Sequence, residues 1–224
     1  MKLTKQLLIN NNPVALVDHD LTLDLKRPGK AVFTVNESEK LSGLIELKAG
    51  YKQKLNRVFF GFIEQSTKLD NKQQRIEARE FWAVLAYPLS LNLRHVKLSK
   101  VVDEISNKTG LSFTIGKGSY NETKAPFFYS IANGYHAIDA LKTVFKIPQF
   151  ICQQRGDNIY MGSWQDQPKI NLDQKWFSEF GKGPRANIPA LPQLKPGFYI
   201  ESLGFIESIR FSGANMGLSW VKTL

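Results

Sequence analysis

The sequence predicts an α+β protein that is mainly β, with two small β-barrel-like domains and a helix-containing α/β insert between them. Three observations support this fold class. Several short runs in the first 96 residues alternate apolar and polar side chains, which is the period of a half-buried strand. Two amphipathic helical patterns follow in the middle of the chain. A short motif from the first region is then repeated close to the C-terminus.

The repeated motif is Gly-Phe-Ile-Glu, at residues 61–64 and again at residues 204–207. Each copy follows a glycine–aromatic pair, at residues 50–51 in the first case and 197–198 in the second. Because a repeated segment implies a repeated element of the fold, the motif predicts two related β-domains around an insert. Such an organisation is more typical of an assembly component than of an enzyme.

The predicted domain boundaries are residues 1–96 for the first β-barrel-like domain, 97–149 for the insert and 150–224 for a second β region. Helices are expected at about 99–108, stopped by Gly110, and at about 134–146, capped by Asn133. Five prolines lie between residues 164 and 197. Because proline removes a backbone donor, we expect an irregular arm at about 164–197, followed by return strands. The arm is either a linker or packs on a neighbour.

Composition limits the class of protein. The chain has 224 residues and 42% hydrophobic residues, which is enough for real cores in a globular protein. No run is long enough to cross a bilayer, and the start lacks a long apolar region with a cleavage site, so we expect no signal peptide and no stable membrane association.

The net charge of +10 indicates contact with polyanions or acidic surfaces, or simply a basic solvated surface. The single cysteine, Cys152, lies in an apolar run and is expected to be a buried core residue.

No segment carries a recognised catalytic or metal-binding signature. Gly-rich phosphate loops, HExxH helices, CxxC pairs and Gly-x-Ser-x-Gly elbows are absent from the sequence. The three histidines, His19, His95 and His136, are not spaced as metal ligands. Asp18-His19-Asp20 could form an acid–base cluster, but we interpret it as a solvated turn before a strand. We therefore expect no catalytic residues, no metal and no cofactor.

Aromatic side chains in the proline-rich segment are candidates for a binding surface. They could stack on single-stranded nucleic acid, or they could anchor an arm in a protein interface, where aromatic residues are enriched. We favour the interface, because lysines are sparse in this segment and acidic residues are mixed with them. The candidate residues are Trp164, Trp176, Phe177 and Phe180.

Several short motifs, taken in their order along the chain, resemble the baseplate hub proteins of contractile-tailed phages. That family includes the Mu-like 43 kDa tail protein and late control protein D, and the hub part of type VI secretion spike proteins is more distantly similar. The resemblance covers most of the chain. The matching stretches are Arg-Pro-Gly-Lys-Ala-Val-Phe-Thr-Val at 27–35, Phe-Phe-Gly-Phe-Ile at 59–63, Glu-Ala-Arg-Glu at 77–80, Lys-Leu-Ser-Lys-Val-Val-Asp-Glu-Ile at 97–105, Ala-Ile-Asp-Ala-Leu at 137–141 and Pro-Gly-Phe-Tyr-Ile at 196–200.

The resemblance implies a structural hub of the virion, synthesised in the bacterial cytoplasm. In that family each subunit carries two related β-barrels, so a homotrimer presents six similar barrels to the tail tube and three-fold symmetry to the central spike. The channel of the ring carries DNA during ejection, which implies transient, non-specific contact with phage DNA. The residues that we expect to face this channel flank a predicted loop between strands: Lys48, Lys52, Lys54 and Arg57.

Family members are usually longer than this chain. The second barrel is therefore expected to be trimmed, completed by a neighbouring subunit or built from discontinuous pieces. Two other functions stay open. One is a monomeric β-barrel that binds nucleic acid, with an affinity that falls steeply as salt rises. The other is a cell-wall hydrolase of the same tail, although no acid–base pair forms a recognisable motif.

Overall fold

The computed structural model describes residues 2–52, 54–166, 169–177, 179–180 and 183–222. Contacts divide the chain into two units. The first contains Met1–Glu80 and Pro168–Leu224, and the second contains Phe81–Gln167. Strands predominate and helices are few, which confirms the predicted α+β, mainly β class.

The first seven strands form a ring in which antiparallel pairings run from β3 round to β2 and the chain itself joins β2 to β3. From β3 the pairings pass through β4, β7, β6, β5 and β1 to β2. Only Ala15 separates β2 from β3, so the ring returns to its start as in a small barrel. The strands are β1 (Thr4–Ile9), β2 (Asn12–Val14), β3 (Leu16–Asp24), β4 (Lys30–Val35), β5 (Leu44–Tyr51), β6 (Lys54–Lys68) and β7 (Gln74–Glu80).

Alternate side chains of these strands point into one apolar core. Phe33 and Phe59 are fully buried, with ring centroids 6.0 Å apart in an edge-to-face arrangement. Ile45, Leu47 and Ile76 are buried in the same core. Burying a side chain of this size contributes about 1.5–3 kcal/mol. The period of two that predicts the strands therefore also decides which face is buried.

Residues 81–167 form a unit with its own core. β8 and β10 pair as an antiparallel ribbon, while β12 pairs in parallel with β9 and antiparallel with β11. The elements are β8 (Leu91–Lys97), α1 (Leu98–Thr109), β9 (Ser112–Ile115), β10 (Lys124–Ser130), α2 (Gly134–Val144), β11 (Phe150–Arg155) and β12 (Asn158–Ser163), with 3-10 helices at Phe81–Ala86, Ser119–Glu122 and Trp164–Asp166.

Both predicted helices of this unit are confirmed. Gly110 ends α1 with a φ of 72°, and its N–H donates to the Ser106 carbonyl at 2.8 Å. This left-handed conformation is the reason why glycine is favoured after a helix. The Asn133 side chain caps α2 by accepting a hydrogen bond from the His136 backbone N–H.

The C-terminal strands return to the first unit. β17 pairs with β18 on one side and with residues 20–24 of β3 on the other. β15 and β14 continue this sheet beyond β18, and the sheet ends at β14 within the described residues. These strands are β13 (Lys169–Ile170), β14 (Glu179–Phe180), β15 (Arg185–Pro189), β16 (Tyr199–Ile200), β17 (Gly204–Ser212) and β18 (Asn215–Val221), with a 3-10 helix at Gln174–Trp176.

The two glycines of the repeated motif have the same structural role. A Cβ on Gly61 would lie 1.9 Å from the Arg79 carbonyl oxygen, and a Cβ on Gly204 would lie 2.4 Å from the Val221 carbonyl oxygen. In both copies the partner backbone therefore comes too close for any other residue.

The two glutamates of the motif also occupy equivalent positions. In β6 the register against β7 shifts between Ile63 and Gln65, which leaves Glu64 at a β-bulge. In β17 the register against β18 shifts between Ile206 and Ser208, which leaves Glu207 at a bulge. The repeated sequence thus produces the same backbone feature in two hairpins.

The observed units have other boundaries than the predicted domains 1–96, 97–149 and 150–224. β8 lies in the unit of residues 81–167, where it pairs with β10. β11 and β12 also belong to that unit, because β12 pairs with β9. Instead of forming a core of their own, the C-terminal strands bury Ile209 and Phe211 in the core of the first seven strands.

The described part of the predicted irregular arm at 164–197 is irregular over most of its length, with three short strands and two 3-10 helices, but it does not form an arm. The segment contributes β13, β14 and β15 to the sheet of the first unit. Ile188, Ala190 and Leu194 are buried in the core of that unit. Pro189 is the last residue of β15, a position at the end of a strand where proline is tolerated. The segment therefore packs on its own chain.

The turn predicted at Asp18-His19-Asp20 is also wrong, because these residues lie within β3. The register of β3 against β4 shifts between Leu16 and Asp18, and the alternation that follows buries His19 with Leu21. The polar aspartates on either side hide this inward position in the sequence.

His19 is a buried histidine in an apolar setting. It is 2% exposed, and its ring lies edge-on to Phe211 with 4.7 Å between centroids. Among the residues that the structure describes, none forms a hydrogen bond with its Nε2 atom. Burial, together with the nearby Lys5 ammonium, lowers the pKa of His19 to about 4, although Asp18 and Asp20 act in the opposite direction.

We expect His19 to make the fold sensitive to acid. An unfolded histidine takes up its proton near pH 6.5, whereas the folded state resists protonation down to about pH 4. The stability associated with neutral His19 is thus present above pH 6.5 and lost as the pH falls to about 4, a difference of about 3 kcal/mol at most. Urea unfolding across this range should show a smaller loss for His19→Phe than for the wild type.

Replacement of the exposed His136 with glutamine is the matched control, and it should leave the pH dependence unchanged. Equal loss of stability in the wild type and in His19→Phe would contradict the role given to His19.

Candidate channel and interface surfaces

The four candidate cations lie on one hairpin, formed by β5 and β6. Tyr51 pairs with Lys54 at its tip, and Lys48 pairs with Arg57 further along the strands. Lys52, between them, has a φ of 48°, the left-handed conformation that tight turns require. The structure therefore brings the four residues together, while their facing a channel stays a prediction.

A single buried carboxylate holds two of these cations. The Glu46 side chain is buried, with the Arg57 Nε atom 2.5 Å from Oε1 and the Lys48 Nζ atom 3.5 Å from Oε2. The Arg57 guanidinium also lies 4.4 Å from the centroid of the Phe60 ring, within cation–π distance. A buried carboxylate needs such partners. The main contribution of Lys48 and Arg57 is therefore to stabilise the hairpin.

Lys52 and Lys54 differ from Lys48 and Arg57 in having no carboxylate partner among the described residues. Both side chains face solvent, and neither forms an ion pair with any residue that the structure describes. Their ammonium groups remain available to an external anion. The positive charge that a polyanion could reach is therefore concentrated at the tip of the hairpin.

Hydrogen bonds join the hairpin to the proline-rich segment. The Tyr51 hydroxyl donates to the Ala190 carbonyl at 2.9 Å. The Lys195 ammonium donates to the carbonyls of Arg57 and Val58, at 3.2 and 2.9 Å. Burial lowers the pKa of Lys195. Sequence reasoning missed Lys195 because nothing in its local sequence distinguishes it from a solvated lysine.

The four candidate aromatic residues do not form one interface arm. Trp164 is buried in the unit of residues 81–167, so its assignment to an arm was wrong. Phe177 is buried in the core of the first unit, and its ring stacks on Phe180 with 5.7 Å between centroids. Trp176 and Phe180 are 41% and 61% exposed. Only these two keep a surface that a partner could contact.

The described residues include no group of three or more His, Cys, Asp or Glu side chains that could hold a metal ion. Cys152 is buried, as the sequence predicts, and burial raises the pKa of its thiol. No helix in the described part of the chain is long and apolar enough to cross a bilayer.

The fold matches solved structures of phage tail proteins. The 43 kDa tail protein of prophage MuSo2 from Shewanella oneidensis aligns with a TM-score of 0.71 and 12% identity, over 99% of this chain and 98% of that one. A tail protein from Neisseria meningitidis aligns with a TM-score of 0.65 and 9% identity, over 97% and 96%. This chain has their fold. The resemblance to phage tail proteins is thereby confirmed for the fold.

A third similar structure comes from a secretion machine. It is an Escherichia coli component of the type VI secretion system, described as structurally similar to the T4 bacteriophage tail proteins gp27 and gp5. It aligns with a TM-score of 0.59 and 12% identity, over 98% of this chain and 76% of that one. No protein-family profile and no curated protein sequence matches this chain.

We expect Glu46→Gln to lower the free energy of unfolding by about 1–3 kcal/mol, because Arg57 and Lys48 lose a buried charged acceptor. The midpoint of urea unfolding measures this loss. Glu64→Gln is the matched control: Glu64 accepts from the Arg79 Nε atom at 3.1 Å, but both side chains are exposed. The control should change stability by less than about 0.5 kcal/mol. Equal losses in the two variants would mean that burial adds nothing to the Glu46 interaction.

Proposed function

We propose that this chain is a structural hub in the baseplate of a phage tail or of a related injection machine, and hence a component of the virion in the phage case. It assembles as a homotrimeric ring, joins the tail tube to the central spike and surrounds the channel through which DNA passes. The observation that carries the proposal is the match to two phage tail proteins over nearly the whole length of each chain.

The repeated backbone feature supports a ring with approximate six-fold character. Gly61 and Gly204 each allow a close approach to a partner strand, and each is followed by a bulged glutamate, Glu64 or Glu207. Three copies of the chain would contain six such hairpins. A surface of this kind suits a three-fold assembly that docks on a six-fold tube.

The types of side chain that are buried and those that are accessible support a structural role over catalysis. The described part of the chain has no candidate metal cluster. Its buried titratable residues, such as His19 and Glu46, are enclosed by the core or by ion pairs. The accessible features are exposed cations and apolar side chains, which bind partners by charge and burial.

We expect the purified protein to form trimers. Light scattering on a sizing column should give a mass close to three times the 25.4 kDa of the chain. Separately produced tube and spike proteins of the same phage should each bind the trimer. A monomer that binds neither of these proteins would contradict the hub function.

A nucleic-acid-binding monomer is the second candidate. The observation that favours it is the pair of exposed lysines, Lys52 and Lys54, on a chain of net charge +10. In the hub these two residues would touch DNA only transiently. In the alternative they would be part of a stable binding surface.

Replacing both lysines with alanine should weaken the binding of duplex DNA equally for all sequences. It should also reduce the slope of log affinity against log salt by about 2, because each lysine neutralises about one phosphate. Fluorescence anisotropy over a salt series measures both effects. Lys100→Ala is the control, since Lys100 is exposed but pairs with Glu104 at 3.0 Å. An unchanged slope in the double variant would exclude the hairpin tip as a DNA contact.

A further inference from the structure

One face of the ribbon formed by β8 and β10 exposes large apolar side chains. Phe127 and Tyr129 lie in β10 and Ile131 directly follows its last residue; the three side chains alternate along the chain and are 62%, 62% and 67% exposed. On the neighbouring strand, Arg94 pairs with Phe127 and Asn92 pairs with Tyr129. The Arg94 guanidinium lies 5.8 Å from the centroid of the Phe127 ring. We call these five residues the ribbon face.

The residues of the ribbon face lie outside the core of this unit. The opposite face of the two strands buries Leu91 and Phe128, and helices α1 and α2 pack against β8 and β10. Single exposed apolar residues are normal on protein surfaces, but three in alternation form a patch. A contiguous exposed patch of this kind marks an interaction surface.

The ribbon is poorly suited to pairing with an added strand. Pro126 in β10 has no N–H to donate, and prolines of this kind protect edge strands from pairing. His95 in β8 has a φ of 52°, which departs from strand geometry. Recognition therefore depends on the side chains of the ribbon face.

The charge around the ribbon face determines what can cover it. Neither β8 nor β10 contains Asp or Glu. Lys97 pairs with Glu122 at 2.6 Å, whereas Arg94 and Lys124 form no ion pair among the described residues. Charge complementarity favours an acidic partner surface. It disfavours a second copy of this chain, because two basic faces repel each other.

We propose that the ribbon face is the docking site for an acidic surface of another tail protein, whose apolar side chains pack on Phe127, Tyr129 and Ile131. Tyrosine and arginine are the residue types that dominate binding energy at protein interfaces. The face itself carries one cation, Arg94, for three apolar side chains. This ratio fits a protein better than single-stranded nucleic acid, whose phosphates need several cations. The proposal rests on the hub function, since that function supplies the partner.

The test measures binding of the full chain to the tube and spike proteins of the same phage by biolayer interferometry. We expect the wild type to bind the partner that has an acidic surface. The double variant Phe127→Ser/Tyr129→Ser should bind that partner at least about 30-fold more weakly, as expected when central aromatic residues are removed. Arg94→Glu should weaken binding about 10-fold, with the larger effect at low salt.

The matched control is Val17→Ser/Leu69→Ser, which removes two exposed apolar side chains of the first unit and should bind as the wild type does. Wild-type affinity in both ribbon-face variants would overturn the docking proposal and leave the hub function intact. If the wild type binds neither protein, the hub function fails, and the docking proposal fails with it.

Two further readouts separate the remaining occupants. A lower solution mass of the double variant would assign the ribbon face to a second copy of this chain. Loss of binding to a polythymidine oligonucleotide, with partner binding unchanged, would assign it to nucleic acid. Either result would overturn the proposal, whereas unchanged mass and oligonucleotide binding together with weaker partner binding support it.

Discussion

The pairing of β17 with the C-terminal half of β3 is the interaction on which the first unit depends. β3 pairs with β4 along one edge, and the pairing with β17 occupies the other edge over residues 20–24. Arg210 and Asp20, 190 positions apart, form a two-point ion pair across this junction. The junction lets Ile209 and Phe211 share a core with the first seven strands. Contacts between residues so far apart in sequence form slowly during folding, because a long loop must close first.

The same closure positions the hairpin that carries the candidate cations. Because the C-terminal segment packs on the first strands, Lys195 can reach the carbonyls of Arg57 and Val58. Glu46 holds Arg57 from the other side of the hairpin. The tip with Lys52 and Lys54 is thus presented from an anchored base. A binding surface on an anchored hairpin loses less conformational entropy when a partner is bound.

The unit of residues 81–167 buries one face of its ribbon and exposes the other. Its helices and the inner face of the ribbon form a core, and the alternation of strand residues leaves the outer face for other contacts. The aromatic residues exposed on this ribbon are Phe127 and Tyr129, whereas Trp164 and Phe177, two of the four aromatic residues predicted to form an interface, are buried. Both sets look alike in sequence, because aromatic residues serve cores and interfaces equally well.

Local sequence patterns determined the helices and most of the strands. Alternation identified most strands, Gly110 and Asn133 marked helix ends, and the repeated motif marked two equivalent bulged hairpins. Only the tertiary structure decided which strands pair, and with them the unit boundaries, the burial of His19 and the packing of the proline-rich segment. The physical reason is that pairing partners and the buried face of an ambiguous residue depend on contacts far along the chain, which no local pattern records.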